Sequence, residues 1–260
     1  MRCVVCMKAV PSTTEVRMDP KTNTIIRDGK QSVANPFDTA ALEVALAIKD
    51  ELGGEVSVVS MGIPDTQRLL RDAISRGATD ALLLSDRAFA GADTLATSYA
   101  LSLGIERLGS ADLVVCGKMA VDGDTAQIGP ELGGLLGVPC VTSVSEVLVA
   151  TEQHLVVRHD TDDGSEVVEV PLPAVITVTK DVATLRMPSI AGVRAGEAAS
   201  VTVLDAAAAG ADRSRCGLDG SPTQVVRSFV PERTNEAHEV CGTPEQQAAE
   251  LVRVFEEVAR

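Results

Sequence analysis

Residues 114–137 read VVCGKMAVDGDTAQIGPELGGLLG: a buried strand ending at Cys116, a loop, then a helix. These residue types suit anion binding. Asp124 at the N-cap with Gln127 three residues on is a capping-box arrangement, which starts the helix at Asp124 or Thr125. Free backbone N–H groups at a helix start, with the helix dipole behind them, favour phosphate. Gly123 lets a ligand approach the backbone, and Thr125 offers a hydroxyl. Phosphates are therefore expected within Gly117–Pro130. Two aspartates would repel them, so Asp124 is assigned to capping and Asp122 to ribose or neighbouring backbone. The same pattern also serves a purely structural, well-capped helix. No G-x-G-x-x-G follows the first strand, and Gly117-Lys118 lacks the rest of a Walker A. Local chemistry reaches an anion or nucleotide loop and stops there.

The other chemistry-bearing residues assemble no metal site. Cys3 and Cys6 form a C-x-x-C, yet positions three apart on a strand point to opposite faces, and no second pair with zinc spacing follows. Cys116 and Cys140 sit in or beside apolar runs, Cys216 and Cys241 in polar ones, and His154, His159 and His238 do not cluster. Reduced, mostly packing thiols are expected. The formal charge of −14 comes with no basic stripe, which argues against nucleic acid as a partner. No run reaches the roughly 20 apolar residues that span a bilayer. The opening MRCVVCMKAVPSTTEV turns polar too early for a signal peptide, so a cytoplasmic protein is expected.

The elements that hold the loop follow from periodicity. With no Trp, one Tyr and four Phe, the core has to be aliphatic, a mix that suits parallel strands buried on both faces. RCVVCMK is the first strand, and EVRMD and TIIRD around PKTN suggest a projecting hairpin. Asn35-Pro36 opens a helix that ends at Gly53-Gly54, and EVSVVSM is the next strand. Asp65 caps a helix stopped by Gly77, DALLLSD is a third strand, and Asp93 to Leu108 is a third helix. DLVVCG completes the set. Four β-α units imply an α/β fold, a mainly parallel sheet with helices on both faces. A loop at the carboxyl edge of such a sheet is where open α/β proteins bind ligands. After Pro139, three β-rich stretches predict an antiparallel extension. From about Lys180 periodicity fades, which predicts an arm wrapped on a partner and ending in an amphipathic helix over 243–259. The expected domains are 1–180 for nucleotide binding and 181–260 for the arm.

Several long motifs carry a resemblance. They are VVCMKAVPSTTEVRMDPKTNTIIRDG, SVANPFDTAALEVALAIKD, DAISRGATDALLLSD, VDGDTAQIGPELGGLLGVP and RMPSIAG. Over nearly the whole chain the sequence resembles electron-transfer flavoprotein β (small) subunits. The resemblance implies an adenine-nucleotide α-hydrolase-like domain, permanently paired with an α subunit that carries its own FAD. In the simple type the β subunit holds a structural AMP, and electrons pass from acyl-CoA dehydrogenases through the α-subunit FAD. In the bifurcating type a second FAD sits in β, takes a hydride from NADH and sends its two electrons down separate paths, with ferredoxin or flavodoxin as low-potential acceptors. SDRAFAGADTLATSY resembles the long loop of the bifurcating type, and DGDTAQ replaces the bulkier, more acidic run of AMP-type members. FAD is therefore the expected cofactor, with AMP the alternative.

On that resemblance, Cys6, Lys8, Asn35, Asp38 and Met61 line the adenosine end. Gly117, Asp122, Gly123, Asp124, Thr125, Ala126, Gln127 and Ile128 hold phosphates and ribose. Asp86, Arg87, Ala88, Phe89, Thr94 and Thr97 lie near the isoalloxazine, where Arg87 would stabilise an anionic ring or a phosphate. Each has a plainer role open to it: Asn35 as a helix cap, Lys8 as a strand-end charge, Arg87 as a surface residue, and Thr94 and Thr97 as packing. Asp93 reads as the N-cap of the third helix. Ile190 is the apolar anchor for an acyl-CoA dehydrogenase or related reductase. The lysine-rich run that follows it in many relatives is replaced by GVRAGEAASV, which leaves the partner open. A universal-stress-type nucleotide-binding protein is a third reading, and residues 180–235 argue against it.

Overall fold

A computed structural model describes residues 1–12, 32–123, 125–226 and 239–258. The chain divides into two compact units, Met1–Val225 and Val226–Arg260. In the first, β1 (Arg2–Cys6) is followed by the short β2 (Ala9–Pro11) and β3 (Ser32–Ala34), then α1 (Pro36–Leu52), β4 (Glu55–Met61), α2 (Gln67–Arg76), β5 (Asp80–Leu84) and α3 (Thr94–Leu108). β6 (Leu113–Gly117), α4 (Ile128–Leu136), β7 (Cys140–Ala150), β8 (His154–Thr161), β9 (Gly164–Pro171) and β10 (Ala174–Val178) follow, then α5 (Ile190–Ala198), β11 (Thr202–Leu204) and α6 (Ala206–Ala209). Nine strands form one sheet in the order β11-β5-β4-β1-β6-β10-β7-β8-β9, parallel from β11 to β7 and antiparallel from β7 to β9.

The period-two alternation of β1 splits the core between the two faces of the sheet. Cys3, Val5 and Met7 pack with residues of α1 and α2, while Val4 and Cys6 pack with residues of α3 and α4. The two cysteines of the C-x-x-C therefore lie on opposite faces, as their spacing requires. Central strands such as β10 are buried throughout, which explains their Val/Ile runs.

Two local expectations change. The helix after β4 is entered through a 3-10 turn, Pro64–Thr66, and its N-cap is Thr66 without a side-chain bond, so Asp65 caps nothing. Pro64 fixes the φ of that turn and places Asp65 inside it. α4 begins at Ile128, with Gln127 at the N-cap and no side-chain cap bond, not at Asp124 or Thr125. The hairpin expected over 15–28 and residue Asp124 lie outside the described residues. Residues 181–225 belong to the first of the two units. β11 extends the sheet beside β5, and α5 lies against α2. α5 escapes a periodicity search because Gly192 and Gly196 weaken its helical signature. These glycines let it approach: a Cβ at Gly192 would collide with the Ser75 carbonyl oxygen, and one at Gly196 would lie 2.6 Å from that of Arg71.

In the second unit α7 (Pro244–Val258) is the one helix among the described residues. Thr243 and Gln246 cap its start reciprocally, Thr243 N donating to Gln246 Oε1 at 2.9 Å and Gln246 N to Thr243 Oγ1 at 3.4 Å. Leu251, Val252, Val254, Phe255 and Val258 are exposed along it. No helix among the described residues is long and apolar enough to cross a membrane.

Candidate functional site

From β1 the sheet grows to β4 and β5 on one side and to β6 on the other, so the carboxyl ends of β1 and β6 border the crevice where strand order reverses. Open α/β sheets bind ligands at that switch point.

Asn35 and Asp38 are buried between these two ends. Asp38 accepts from Lys8 N at 2.7 Å and from Asn35 Nδ2 at 2.9 Å. Asn35 Nδ2 also donates to the Met119 carbonyl at 2.8 Å, and Asn35 Oδ1 accepts from Val121 N at 3.2 Å. The pair thus ties the end of β1 and the start of α1 to the loop after β6. Asn35 occupies the N-cap position of α1 without capping it, because its amide is committed to that loop. Burial pushes the Asp38 carboxyl up to about 7, although bonds from Asn35 and Lys8 N–H and the Lys8 charge pull the other way.

Lys8 Nζ meets Asp122 Oδ1 at 2.6 Å, across the crevice. Asp122 is 6% exposed at its side chain. The charge expected to repel phosphate is therefore partnered by a cation on β1's extension. Lys8→Met removes that partner from a nearly buried carboxylate. It is expected to lower the stability of the chain by about 1–2 kcal/mol, read as a shift of the urea midpoint at constant slope.

The loop itself has three notable positions. Gly117 packs so closely on α1 that a Cβ would collide with Asp38 Oδ1 and lie 2.6 Å from Phe37 Cβ. Gly123 faces open space, and a Cβ there would meet nothing within 4 Å. Ala126 holds φ at 56°, a left-handed conformation that costs a non-glycine residue about 1 kcal/mol or more and clusters at functional sites. Behind it, the first N–H groups of α4 receive no side-chain cap among the described residues. Thr125, Ala126 and Gln127 are exposed in front of them. Open N–H donors, a close-approach glycine and Lys8 fit a nucleotide phosphate.

The other wall starts after β5. Asp86 caps the turn Arg87–Phe89 by accepting from Ala88 N at 3.0 Å, and it accepts from Ala206 N at 3.0 Å. Those bonds hold its carboxyl below the usual range. Phe89 is 4% exposed and packs in the cluster containing Tyr99 and Cys216. Arg87 is exposed and makes no ion pair among the described residues. Asp93 is the N-cap of α3, accepting from Ala96 N at 3.1 Å as its position predicts. Thr94 Oγ1 lies 2.9 Å from both Gln127 Oε1 and Glu131 Oε1, which joins this wall to the start of α4. Thr97, one turn on, is half-buried.

Residues 22–209 match the family model described as the electron transfer flavoprotein domain. The chain belongs to the electron transfer flavoprotein family. Its similarity runs to β subunits. The electron transfer flavoprotein subunit beta of Clostridium acetobutylicum is 44% identical over 252 residues, covering 97% of this chain and 96% of the relative. The caffeyl-CoA reductase-Etf complex subunit CarD of Acetobacterium woodii is 43% identical over 250 residues, covering 96% and 95%. Protein FixA of Bradyrhizobium diazoefficiens is 39% identical over 259 residues, covering 97% and 90%.

Within this electron transfer flavoprotein subunit, Lys8, Asn35, Asp38, Gly117 and Asp122 converge at the crevice through the bonds above. Gly123, Thr125, Ala126, Gln127 and Ile128 form the rim before α4. Cys6 is buried beneath them, its sulfur engaged with Cys116, whose thiol is pushed up by that contact and by burial. Met61 packs half-buried against the same core face. Ile190 lies far along the chain, at the start of α5, 79% exposed beside Met187 at 85%. Two residues escape a reading of the sequence. Lys118 sits on the loop beside β10, its N–H donating to the Val178 carbonyl at 2.8 Å. Glu131 faces α3, accepting from Thr94 and, through Oε2, from Ser98 Oγ at 2.7 Å. The lysine directly after Gly117 is an available signal for the first. The second depends on how two helices pack.

Proposed function

We propose that this chain holds FAD at the carboxyl ends of β1 and β6 and works in the cytoplasm as one half of a heterodimer with an electron-transfer flavoprotein α subunit. The pair passes electrons between NADH, an acyl-CoA dehydrogenase or related reductase, and a low-potential acceptor such as ferredoxin or flavodoxin. One observation carries the nucleotide site: the N-terminus of α4, without a side-chain cap among the described residues and preceded by left-handed Ala126 and open Gly123, sits at the switch point of the sheet. The name of the Acetobacterium woodii relative, from a caffeyl-CoA reductase complex, supports a CoA-ester reductase as partner. Bound FAD would supply the two-electron chemistry with NADH and the one-electron steps beyond it.

The protein's own residues bind and orient. Backbone N–H groups of α4's first turn and the Lys8 and Lys118 ammonium groups receive the phosphates. Asn35 and Asp38 keep the loop against β1. Arg87 reaches toward the far end of the nucleotide as an exposed cation. Exposed Ile190 and Met187 present an apolar contact to the dehydrogenase or reductase. The AMP reading keeps one observation in its favour: Asp86 and Phe89 are committed to internal bonds and packing, and so offer little to a flavin ring.

Acid release of nucleotides from the purified heterodimer, followed by chromatography, separates these readings. About two FAD per heterodimer are expected. One FAD with one AMP would reduce the chain to a scaffold, and a heterodimer with a single FAD and no second nucleotide would remove the site altogether.

A further inference from the structure

Thr94 has one hydroxyl proton and two acceptor atoms at 2.9 Å, Gln127 Oε1 and Glu131 Oε1. An ionised carboxylate accepts only, and it takes the proton in preference to a neutral amide oxygen. Glu131 cannot turn away, because its other oxygen is held at 2.7 Å by Ser98 Oγ, and Ser98 is fully buried on α3. Thr94 therefore has only lone pairs to offer Gln127. That contact is favourable when the amide makes a half-turn and donates through Nε2, since amide oxygen and nitrogen are set by the network around them. The bonds then run in one direction, from Gln127 Nε2 to Thr94 Oγ1 and from Thr94 to Glu131. Gln127 is exposed at the rim, and its Oε1, no longer turned to Thr94, is free to meet a ligand there.

On the reading that a nucleotide occupies this rim, we propose that Glu131 is a positioning residue: through Thr94 it fixes the Gln127 amide with its oxygen toward the nucleotide. The rim then offers an acceptor at Gln127, which suits a hydroxyl of a ribose or ribityl chain or a ring N–H. A phosphate oxygen, itself an acceptor, is refused there and directed to the backbone N–H groups and lysines. The fixed polarity sets which part of the nucleotide lies over Gln127.

The test uses the heterodimer stripped of its β-subunit nucleotide, with FAD and AMP as separate probes in equilibrium binding. In Glu131→Gln the new neutral amide can donate to Thr94, whose proton is then free to go to Gln127 Oε1 and turn the amide nitrogen outward. Affinity for the nucleotide that the wild type carries is expected to fall about tenfold, about 1.4 kcal/mol. Thr94→Val, which removes the relay, should lower it comparably, and Thr94→Ser, which keeps the hydroxyl, should recover it. The double variant Thr94→Val/Glu131→Gln should lose no more than either single change, because both break one chain. A role limited to holding α3 on α4 would leave affinity unchanged in Glu131→Gln, or would make the losses additive, and either result overturns the proposal. If the wild-type protein itself binds neither probe in this subunit, the nucleotide reading fails, and that failure is visible without any variant.

Discussion

Gly117→Ala is expected to destabilise the chain by about 3 kcal/mol and to loosen the loop after β6, the largest effect of any methyl-sized change at the site. The cost follows from what the Cβ meets. The Asp38 carboxylate and the Phe37 backbone carbon, 2.8 Å away, belong to the first turn of α1. Neither is the end of a flexible side chain that can swing aside. Asp38 is held by Lys8 N and Asn35 Nδ2, so moving it also breaks the bonds that carry Met119 and Val121. Urea unfolding should show a lower midpoint with the slope unchanged, and amide exchange should quicken from Lys118 to Gly123. Gly123→Ala is the contrasting control for packing, since its Cβ meets nothing within 4 Å. A Gly117→Ala protein as stable as the wild type would mean that α1 and β6 are not in close contact at this edge.

The second large effect concerns pH. The Asp38 carboxyl lies at about 7 in the folded chain against 3.8 for the free group, with burial as the first cause. Between those two values the native state binds more protons than the unfolded chain, so stability falls as pH rises through the window. The penalty is absent below the lower value and complete above the upper one. At a cost of 1.36 kcal/mol per pH unit, the wild type should lose roughly 2 kcal/mol relative to Asp38→Asn on going from about pH 5.5 to about pH 8. Asp38→Asn carries its own constant cost, because the new amide nitrogen faces the Asn35 amide nitrogen that formerly donated to it. Urea midpoints of both proteins at the two pH values separate the terms. Parallel pH profiles for the two would show that this carboxyl does not titrate in that range.

Periodicity in the sequence was enough for β1, β4, β5 and β6 and the helices between them, because aliphatic runs of five to seven residues buried on both faces admit few other states; β10, expected in the antiparallel extension, instead lies parallel between β6 and β7. The Cys3/Cys6 geometry and the Asp93 cap were legible for the same local reason. The start of α4 was not: the helix begins only at Ile128, and the Gln127 side chain lies against Thr94. Helix α5 was not legible for another reason. Gly192 and Gly196 look like breaks in a helix until α2 lies against them, where their missing side chains admit the neighbouring backbone.

By itself the amino-acid sequence determined the α/β class and the antiparallel strands β7 to β9 that follow Pro139. Alternation and turn residues are local properties, and a chain of 260 residues carries them without reference to its final packing. The partners inside the site were decided by tertiary structure alone. Lys8 and Asp122 are 114 residues apart, Asn35 and Val121 are 86 apart, and Thr94 and Glu131 are 37 apart. Such pairs exist only because β6 crosses back to the far side of β1 after the chain has built β4 and β5 on the near side. That reversal brings the two carboxyl ends together and sets a lysine against an aspartate.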